Sequence, residues 1–319
     1  MPAKPALLIT RRLPQAVEAR ARRDYAARHN PADTLLGAGL VEAAAGTDAL
    51  LVTPSERLDQ AAIAALPASV RIIATFSVGH DHIDVAAARA RGIAVTNTPD
   101  VLTDATAEVA MLLLLAAARR AHEGEAMVRE GRWKSWATDL LLGRQLSGRR
   151  LGILGMGRIG RGMARRAAAF GMEIHYHNRQ RLGAAAEAGA IFHADPMALL
   201  AVSSFFSLHC PSTQETRHFL DARRIAALPD GAVVVNTARG DLIEDAALIA
   251  ALRSGKLFAA GLDVFAGEPA LEPEYRQIEN VFLLPHLGSA TVEARDAMGF
   301  SALDSLDAFF AGATLANAL

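Results

Sequence analysis

Three side chains that could carry out chemistry together follow three predicted strands in the second half of the chain. They are Arg239, Glu268 and His286, separated by 29 and 18 positions. Parallel strands end at one edge of a sheet, where ligands bind in open α/β sheets, so we expect the three groups at that edge. Arginine is permanently charged and histidine changes protonation near neutral pH. The set therefore suits the binding of an anion combined with proton transfer.

A glycine-rich segment, Gly155–Gly160, matches the pattern G-x-G-x-x-G. It follows the predicted strand Leu151–Leu154 and opens a predicted helix, the context that binding of a dinucleotide requires. The first glycine permits a tight turn, the second lets the backbone approach a pyrophosphate, and the third permits close packing of helix on strand. The helix start supplies unpaired N–H groups for the anion. The alternative is a tight turn with no ligand.

The next predicted strand ends in a segment that indicates which dinucleotide is preferred. An NAD-selective site usually carries an acidic residue there, about 20 residues after the glycines. Here Asn178 takes that place, and Arg179 and Arg181 follow. Guanidinium groups suit a 2′-phosphate, so the sequence predicts a preference for NADP(H), with NAD(H) possible. The alternative is a solvated basic turn.

The elements that position these residues alternate between short apolar runs and alanine-rich helical stretches, as in parallel sheets covered by helices. A fresh series of strands begins near residue 150, which marks a second α/β unit. The predicted strands are Ala6–Ile9, Ala49–Val52, Arg71–Thr75, Ile93–Val95, Leu151–Leu154, Glu173–Tyr176, Val202–Leu208, Ala232–Asn236, Phe258–Leu262 and Val281–Leu284, and the predicted helices include Asp59–Leu66, Asp84–Ala90, Asp104–His122, Ile159–Phe170, Asp245–Leu252 and Thr291–Phe310.

Together with further motifs, the segments described above make the sequence resemble the D-isomer-specific 2-hydroxyacid dehydrogenases, in particular their glyoxylate/hydroxypyruvate reductase branch. The further motifs are Phe76–Asp84, Val95–Pro99, Leu102–Glu108 and Leu208–Pro211, and the resemblance covers nearly the whole chain. It implies a Rossmann-type doubly wound parallel sheet, inserted into a flavodoxin-like α/β substrate domain. The substrate domain is expected at residues 1–102 and 289–319, and the NAD(P)-binding domain at residues 103–288.

The resemblance also implies a role for each matching residue. Arg239 matches the arginine that binds the carboxylate and carbonyl of the substrate, His286 the acid/base, and Glu268 its carboxylate partner. Val78 and Gly79 match the loop whose N–H groups receive the substrate carboxylate, and Trp136 an aromatic residue near a substrate pocket, that of the same subunit or of its partner. Cofactor contacts are implied for Thr106, Gly155, Gly157, Arg158, Ile159, Gly160, Asn178, Arg179, Arg181, Cys210, Pro211, Thr216, Thr237, Ala238, Asp263 and Gly288.

The expected reaction is the NADPH-dependent reduction of glyoxylate and hydroxypyruvate by a homodimer. Alternatives within the superfamily are D-lactate-type, phosphite, 3-phosphoglycerate and formate dehydrogenases. A different class is a dinucleotide-sensing binding protein, like the transcriptional corepressors that share this fold. Since such proteins can retain the catalytic residues, the triad does not exclude that class.

Composition argues against several other classes of protein. Lys plus Arg number 33 and Asp plus Glu 34, so the chain lacks the basic excess that a nucleic-acid-binding protein usually carries. The single cysteine, Cys210, excludes an internal disulfide framework and a cysteine-rich zinc site, and no metal is expected. The longest apolar run, Val109–Ala118, is too short for a membrane-spanning helix. We expect a soluble cytoplasmic protein.

Overall fold

The structure is a computed structural model that describes residues 3–319 and forms two compact units. Unit 1 combines the chain up to Leu102 with Ala290–Leu319, and unit 2 is Thr103–Ser289. The first division falls at the expected position, and the second lies one residue beyond it. One α/β unit is thus inserted into the sequence of the other.

Each unit contains one sheet in which all neighbouring strands are parallel. The strands of unit 1 are β1 (Ala6–Ile9), β2 (Ala26–Arg28), β3 (Ala49–Val52), β4 (Ile72–Thr75) and β5 (Ala94–Thr96), and those of unit 2 are β6 (Arg150–Leu154), β7 (Glu173–His177), β8 (Ile191–Phe192), β9 (Phe205–Leu208), β10 (Ala232–Asn236), β11 (Leu257–Leu262) and β12 (Val281–Leu283).

The strand orders confirm the predicted fold class. The sheet of unit 1 runs β2-β1-β3-β4-β5, the flavodoxin-like order. The sheet of unit 2 runs β12-β11-β10-β9-β6-β7-β8, which is the Rossmann order with β12 added at one edge. In a sheet of this order the first strand, β6, lies beside the point where the order reverses. The loop after β6 is the glycine-rich segment.

Helices cover the sheets and connect their strands. They are α1 (Gln15–Asp24), α2 (Leu40–Ala43), α3 (Gln60–Ala65), α4 (Val85–Ala90), α5 (Thr103–Ala118), α6 (Ala121–Arg129), α7 (Arg158–Ala169), α8 (Ala184–Glu187), α9 (Pro196–Val202), α10 (Ala222–Ala227), α11 (Asp245–Ser254) and α12 (Val292–Phe310), with short 3₁₀ helices at Gly37–Gly39, Gly240–Leu242 and Pro273–Gln277. None of the helices in the described part of the chain is long and apolar enough to traverse a bilayer.

Alternate residues of the central strands build a core on each face of the unit 2 sheet. Val233 and Val235 pack with Leu113 on one side, whereas Val234 packs with Leu248 on the other. Strands buried on both faces explain the continuous apolar runs from which they were predicted. In unit 1, α12 packs against β4 and α1. Arg20 of α1 forms ion pairs with Asp304 and Asp307 of α12 at 2.7 and 2.6 Å.

Two predicted elements differ from the structure. The single helix expected over Asp104–His122 is interrupted, because Arg120 has a φ of 54° and cannot continue a right-handed helix. The chain resumes as α6, in which no residue is buried. The strand expected from Val202 begins only at Phe205, since Val202 is the last residue of α9.

Strands β2 and β8, each at one edge of its sheet, were not predicted. Both are short, and neither contains a fully buried residue. Because their residues are largely open to solvent, these two strands lack the buried apolar run that identifies the others.

Candidate active site

The loop after β10 carries Arg239. It is held by Asn236, a fully buried residue at the end of the strand. The Asn236 side chain donates to the backbone oxygen of Arg239 at 2.8 Å and accepts from the N–H of Ala238 at 3.0 Å. The Arg239 guanidinium donates to the oxygen of Ala238 at 2.7 Å. A buried amide that bonds both sides of a turn holds the arginine in place.

The same loop packs directly on the loop after β11, which carries Glu268. Gly240 makes this approach possible, because a Cβ there would lie 1.9 Å from the carbonyl carbon of Phe265 and 2.1 Å from the nitrogen of Ala266. The Phe265 N–H in turn donates to Oε1 of Glu268 at 2.8 Å. The arginine loop and the glutamate loop therefore form one packed surface.

Glu268 and His286 are brought together as the sequence predicted. His286 Nδ1 lies 2.7 Å from Oε2 of Glu268, and each side chain remains partly open to solvent. Burial works to raise the pKa of Glu268, but the hydrogen bond and charge of His286, the Phe265 N–H and the charge of Arg239 outweigh it, and the pKa is lowered. The carboxylate thus stays ionised and occupies Nδ1, which leaves Nε2 for proton transfer.

His286 is held in a left-handed conformation, with a φ of 53°, that is uncommon for a residue other than glycine. The buried residue Asp263 fixes this turn. Its backbone oxygen accepts from the N–H of His286 at 2.9 Å, and its carboxylate accepts from Leu287 and Gly288 at 2.6 and 2.8 Å. Burial nonetheless raises the pKa of Asp263 despite these bonds. Asp263, predicted as a cofactor contact, orients the histidine loop.

In unit 1, the loop of Val78 and Gly79 follows β4. The backbone oxygen of Val78 accepts from the Asn97 side chain at 2.8 Å, and that of Gly79 from the Ser77 hydroxyl at 2.6 Å. Their N–H groups have no hydrogen-bond acceptor among residues 3–319. Tied carbonyls with available N–H groups form a cradle that fits a carboxylate.

The glycine-rich loop fits a dinucleotide phosphate. Gly155 has a φ of 90°, and a Cβ there would lie 2.5 Å from the backbone nitrogen of Cys210. A Cβ at Gly157 would meet no atom within 4 Å, so this backbone is open to a ligand. Gly157 precedes α7 and no side chain caps the helix start, which leaves the first-turn N–H groups and the helix dipole directed at this opening. Burial raises the pKa of Cys210 to about 12, so its thiol is no nucleophile.

The segment after β7 differs from the simple picture of two arginines facing a ligand. Oδ1 of Asn178 accepts from the N–H of Met156 at 2.7 Å, which joins this segment to the glycine-rich loop. Arg179 is exposed, whereas Arg181 forms an ion pair with Glu187 at 2.8 Å. Of the two arginines, only Arg179 could bind a phosphate without first breaking an ion pair.

The other predicted contacts surround these loops within unit 2. The Thr216 hydroxyl donates to the oxygen of Pro211 at 2.7 Å, and Thr237 Oγ1 lies 3.4 Å from Nδ1 of His209. Thr106 lies within 3.5 Å of a Cβ placed on Gly288. Arg158 and Ile159 are in the first turn of α7, and Ala238 is part of the arginine loop. Trp136 is 77% exposed on the segment after α6.

Sequence reasoning missed Asn236 and Gly240 as functional residues, although both flank Arg239. It also missed the role of Asp263 in holding the His286 turn. An asparagine at the end of a buried strand was the available signal for the first, because a fully buried amide requires hydrogen-bond partners. For Gly240 the reason lies in a loop 25 positions away, which spacing cannot reveal.

Comparison with known proteins decides the family. The model of the D-isomer specific 2-hydroxyacid dehydrogenase NAD binding domain matches residues 111–288. The chain is 46% identical over 319 residues to the glycerate dehydrogenase of Hyphomicrobium methylovorum, covering 99% of each protein. The chain belongs to the D-isomer specific 2-hydroxyacid dehydrogenases. It is an NAD(P)-dependent oxidoreductase, as the motifs predicted.

Further members of the dehydrogenase family support this assignment. The glyoxylate reductase of Thermococcus litoralis is 44% identical over 277 residues, which cover 86% of this chain and 83% of that enzyme. A dehydrogenase of the same family from a Polaromonas species has a TM-score of 0.94 and 51% identity, with 100% of both chains covered. The NADPH-dependent glyoxylate/hydroxypyruvate reductase of Sinorhizobium meliloti, solved with NADP and malonate, has a TM-score of 0.88 and 33% identity over 99% of this chain and 97% of that one.

Proposed function

We propose that this dehydrogenase is an NADPH-preferring reductase of hydroxypyruvate and glyoxylate, and that His286 is its acid/base. The observation that carries the proposal is the 2.7 Å pairing of Glu268 with His286 beside the fixed Arg239 loop. The names of the relatives, glycerate dehydrogenase and glyoxylate reductase, support these two substrates, because hydroxypyruvate is the 2-oxo acid that corresponds to glycerate.

Reduction of a 2-oxo acid places negative charge on the carbonyl oxygen, which must take up a proton. We assign the donor to Nε2 of His286, since Nδ1 is engaged by Glu268. The ionised Glu268 accepts the hydrogen bond of Nδ1 and fixes the orientation of the ring. The backbone bonds from Asp263 hold the histidine turn, so little reorganisation is needed when the proton is transferred.

Arg239 is assigned to the carboxylate and the carbonyl oxygen of the substrate. Its charge is permanent, so it stabilises both the bound acid and the oxyanion that develops. The N–H groups of Val78 and Gly79 are assigned to the substrate carboxylate because their carbonyls are already engaged within unit 1.

The cofactor would be held through the glycine-rich loop and the start of α7. When bound, the nicotinamide supplies the hydride that reduces the carbonyl carbon. Arg179 supports the preference for NADPH, since it is an exposed cation that follows the strand end at which an NAD-selective site usually carries an acid. The NADP bound to the Sinorhizobium meliloti reductase is a second support.

The test is a panel of 2-oxo acids with each cofactor. The purified protein should oxidise NADPH, followed at 340 nm, when hydroxypyruvate or glyoxylate is present. Its KM for NADPH should be lower than its KM for NADH. A higher kcat/KM with pyruvate than with either acid would favour a D-lactate-type enzyme instead. Absence of turnover with every 2-oxo acid, combined with intact cofactor binding, would favour the dinucleotide-sensing alternative.

We also propose that the protein is a homodimer formed through the segment around residues 128–142. Large apolar side chains are exposed there, with Val128 at 62%, Trp133 at 54% and Leu142 at 62%. Contiguous exposed apolar groups mark association surfaces. Light scattering after gel filtration should give twice the mass of one chain, and a Trp136→Ser, Leu142→Ser variant should give a larger monomer fraction. A monomeric wild-type protein would contradict the proposal.

A further inference from the structure

The two arginines after β7 are in different environments. Arg179 is exposed and makes no hydrogen bond or ion pair within residues 3–319, although its charge acts on the nearby carboxylate of Glu215 and helps to lower the pKa of that group. Arg181 is held by Glu187, with Nε at 2.8 Å from Oε1 and the terminal nitrogen at 3.1 Å from Oε2. This is the two-pronged pairing by which a guanidinium binds a carboxylate or a phosphate.

Glu187 is a buried, hydrogen-bonded carboxylate and differs from an exposed partner in a surface ion pair. It is 8% exposed at the end of α8 and also accepts a hydrogen bond from the hydroxyl of Tyr176, a fully buried residue of β7. The same hydroxyl accepts from the N–H of Leu182 at 3.0 Å. Glu187 and Tyr176 therefore fix the side chain of residue 181 and the backbone of residue 182 together.

The charge of Arg181 is offset by this anchor. The hydrogen bond from Arg181 lowers the pKa of Glu187, so the carboxylate is ionised at neutral pH. The guanidinium also lies over the ring of Phe192, at 6.0 Å from its centre. One edge of the guanidinium is occupied by Glu187, and one of its faces lies against an aromatic ring.

We propose that Glu187 is a positioning residue that limits discrimination between NADP(H) and NAD(H) by holding and neutralising Arg181. The inference rests on the proposed cofactor site at this strand end. Arg179 then supplies the discriminating positive charge, while Arg181 contributes little until its carboxylate partner is removed. Loss of the Glu187 charge adds one net positive charge and frees one guanidinium edge near a dianionic 2′-phosphate.

The test measures binding of NADP⁺ and NAD⁺ by titration calorimetry, without turnover. Glu187→Gln keeps an acceptor for Tyr176 and removes the charge. We expect NADP⁺ to bind about threefold tighter or more, and NAD⁺ to bind as in the wild type, because only NADP⁺ carries the extra phosphate. Asp230→Asn is the matched control, since it neutralises another ion-paired carboxylate, partner of Lys256 at 2.7 Å and at the opposite end of β10.

The second arm removes Arg181. In the Arg181→Ala background, Glu187→Gln should leave the affinity for NADP⁺ unchanged, and Arg181→Ala alone should weaken NADP⁺ binding less than twofold. A gain is a useful signal here because damage to the fold cannot produce tighter binding. The inference is overturned by equal effects on both nucleotides, by weaker NADP⁺ binding in Glu187→Gln, or by a gain that persists without Arg181.

The single variant Arg181→Ala keeps the inference testable if Glu187→Gln does not fold. A loss of NADP⁺ affinity of tenfold or more would show that Arg181 already binds the phosphate. The affinities of the wild-type protein for NADP⁺ and NAD⁺ test the proposed cofactor preference separately. A wild-type protein without that preference that gains it in Glu187→Gln would refute the preference and support the inference.

Discussion

The catalytic edge and the segment after β7 belong to the same sheet but are organised differently. Around Arg239 and His286, the turns are fixed by buried polar groups, the amide of Asn236 and the carboxylate of Asp263. After β7, the two arginines are exposed and one of them is tied to a carboxylate. Buried polar groups fix a geometry, whereas exposed charges can be replaced at little cost to the fold. The proposed catalytic loops thus rest on buried supports, whereas the proposed choice of cofactor rests on exposed charges.

The largest effect is expected from removing His286, the proposed acid/base, from the region with buried supports. His286→Asn should lower kcat by about 10²–10⁴, the usual contribution of general acid–base catalysis. Asparagine tolerates the left-handed conformation at this position, so the turn should survive. The measurement is the steady-state reduction of hydroxypyruvate, with NADP⁺ binding as the control. Retention of most of the activity would refute the role of His286.

The next change tests whether the two catalytic loops must touch. Gly240→Ala places a Cβ 1.9 Å from the carbonyl carbon of Phe265, so the Arg239 and Glu268 loops must separate. We expect a loss of about 1–3 kcal/mol in the free energy of unfolding, the usual cost of overpacking, together with a lower kcat. Denaturant titration measures the first quantity. Gly183→Ala is the matched control because a Cβ there meets no atom within 4 Å.

The third change acts on the exposed segment after β7. Arg179→Ala should raise the KM for NADPH about tenfold and leave the KM for NADH and the free energy of unfolding unchanged, because a charged hydrogen bond contributes about 1.5 kcal/mol or more. Steady-state kinetics with both cofactors gives the two KM values. The double variant Arg179→Ala, Arg181→Ala should show the same selective effect. An equal rise for both cofactors would refute the assignment to the 2′-phosphate.

The smallest effect concerns pH and the Glu268–His286 pair. The pKa of Glu268 is lowered in the folded protein, so its ionised form stabilises the fold above its ordinary pKa of 4.5, and this contribution is lost as the pH falls through the folded value. The Tm difference between the wild type and Glu268→Gln should therefore be largest near neutral pH and vanish in acid. A difference that grows as the pH falls would contradict this sign.

The sequence points to the candidate catalytic residues more readily than to the residues that support them. The sequence could propose Arg239, Glu268 and His286 because each follows a buried strand, and the nested units because the motifs occur in a characteristic order. The left-handed break at Arg120 could not be found, since helical propensity on either side is uninterrupted. The partner of Arg181 was also missed, because Glu187 is six positions away, a spacing that brings no two residues together within a helix.

The insertion of one unit within the other also sets an order of events during translation. Helix α12 completes unit 1 through the ion pairs of Arg20 with Asp304 and Asp307, and Leu319 donates to the oxygen of Val95 at 2.9 Å. These partners leave the ribosome only after the whole of Thr103–Ser289, about 10–40 s later at usual rates of synthesis. The nascent segment before Leu102 lacks these partners for that time, so unit 2 can fold first. The completion of unit 1 is then the folding step at which a chaperone would act.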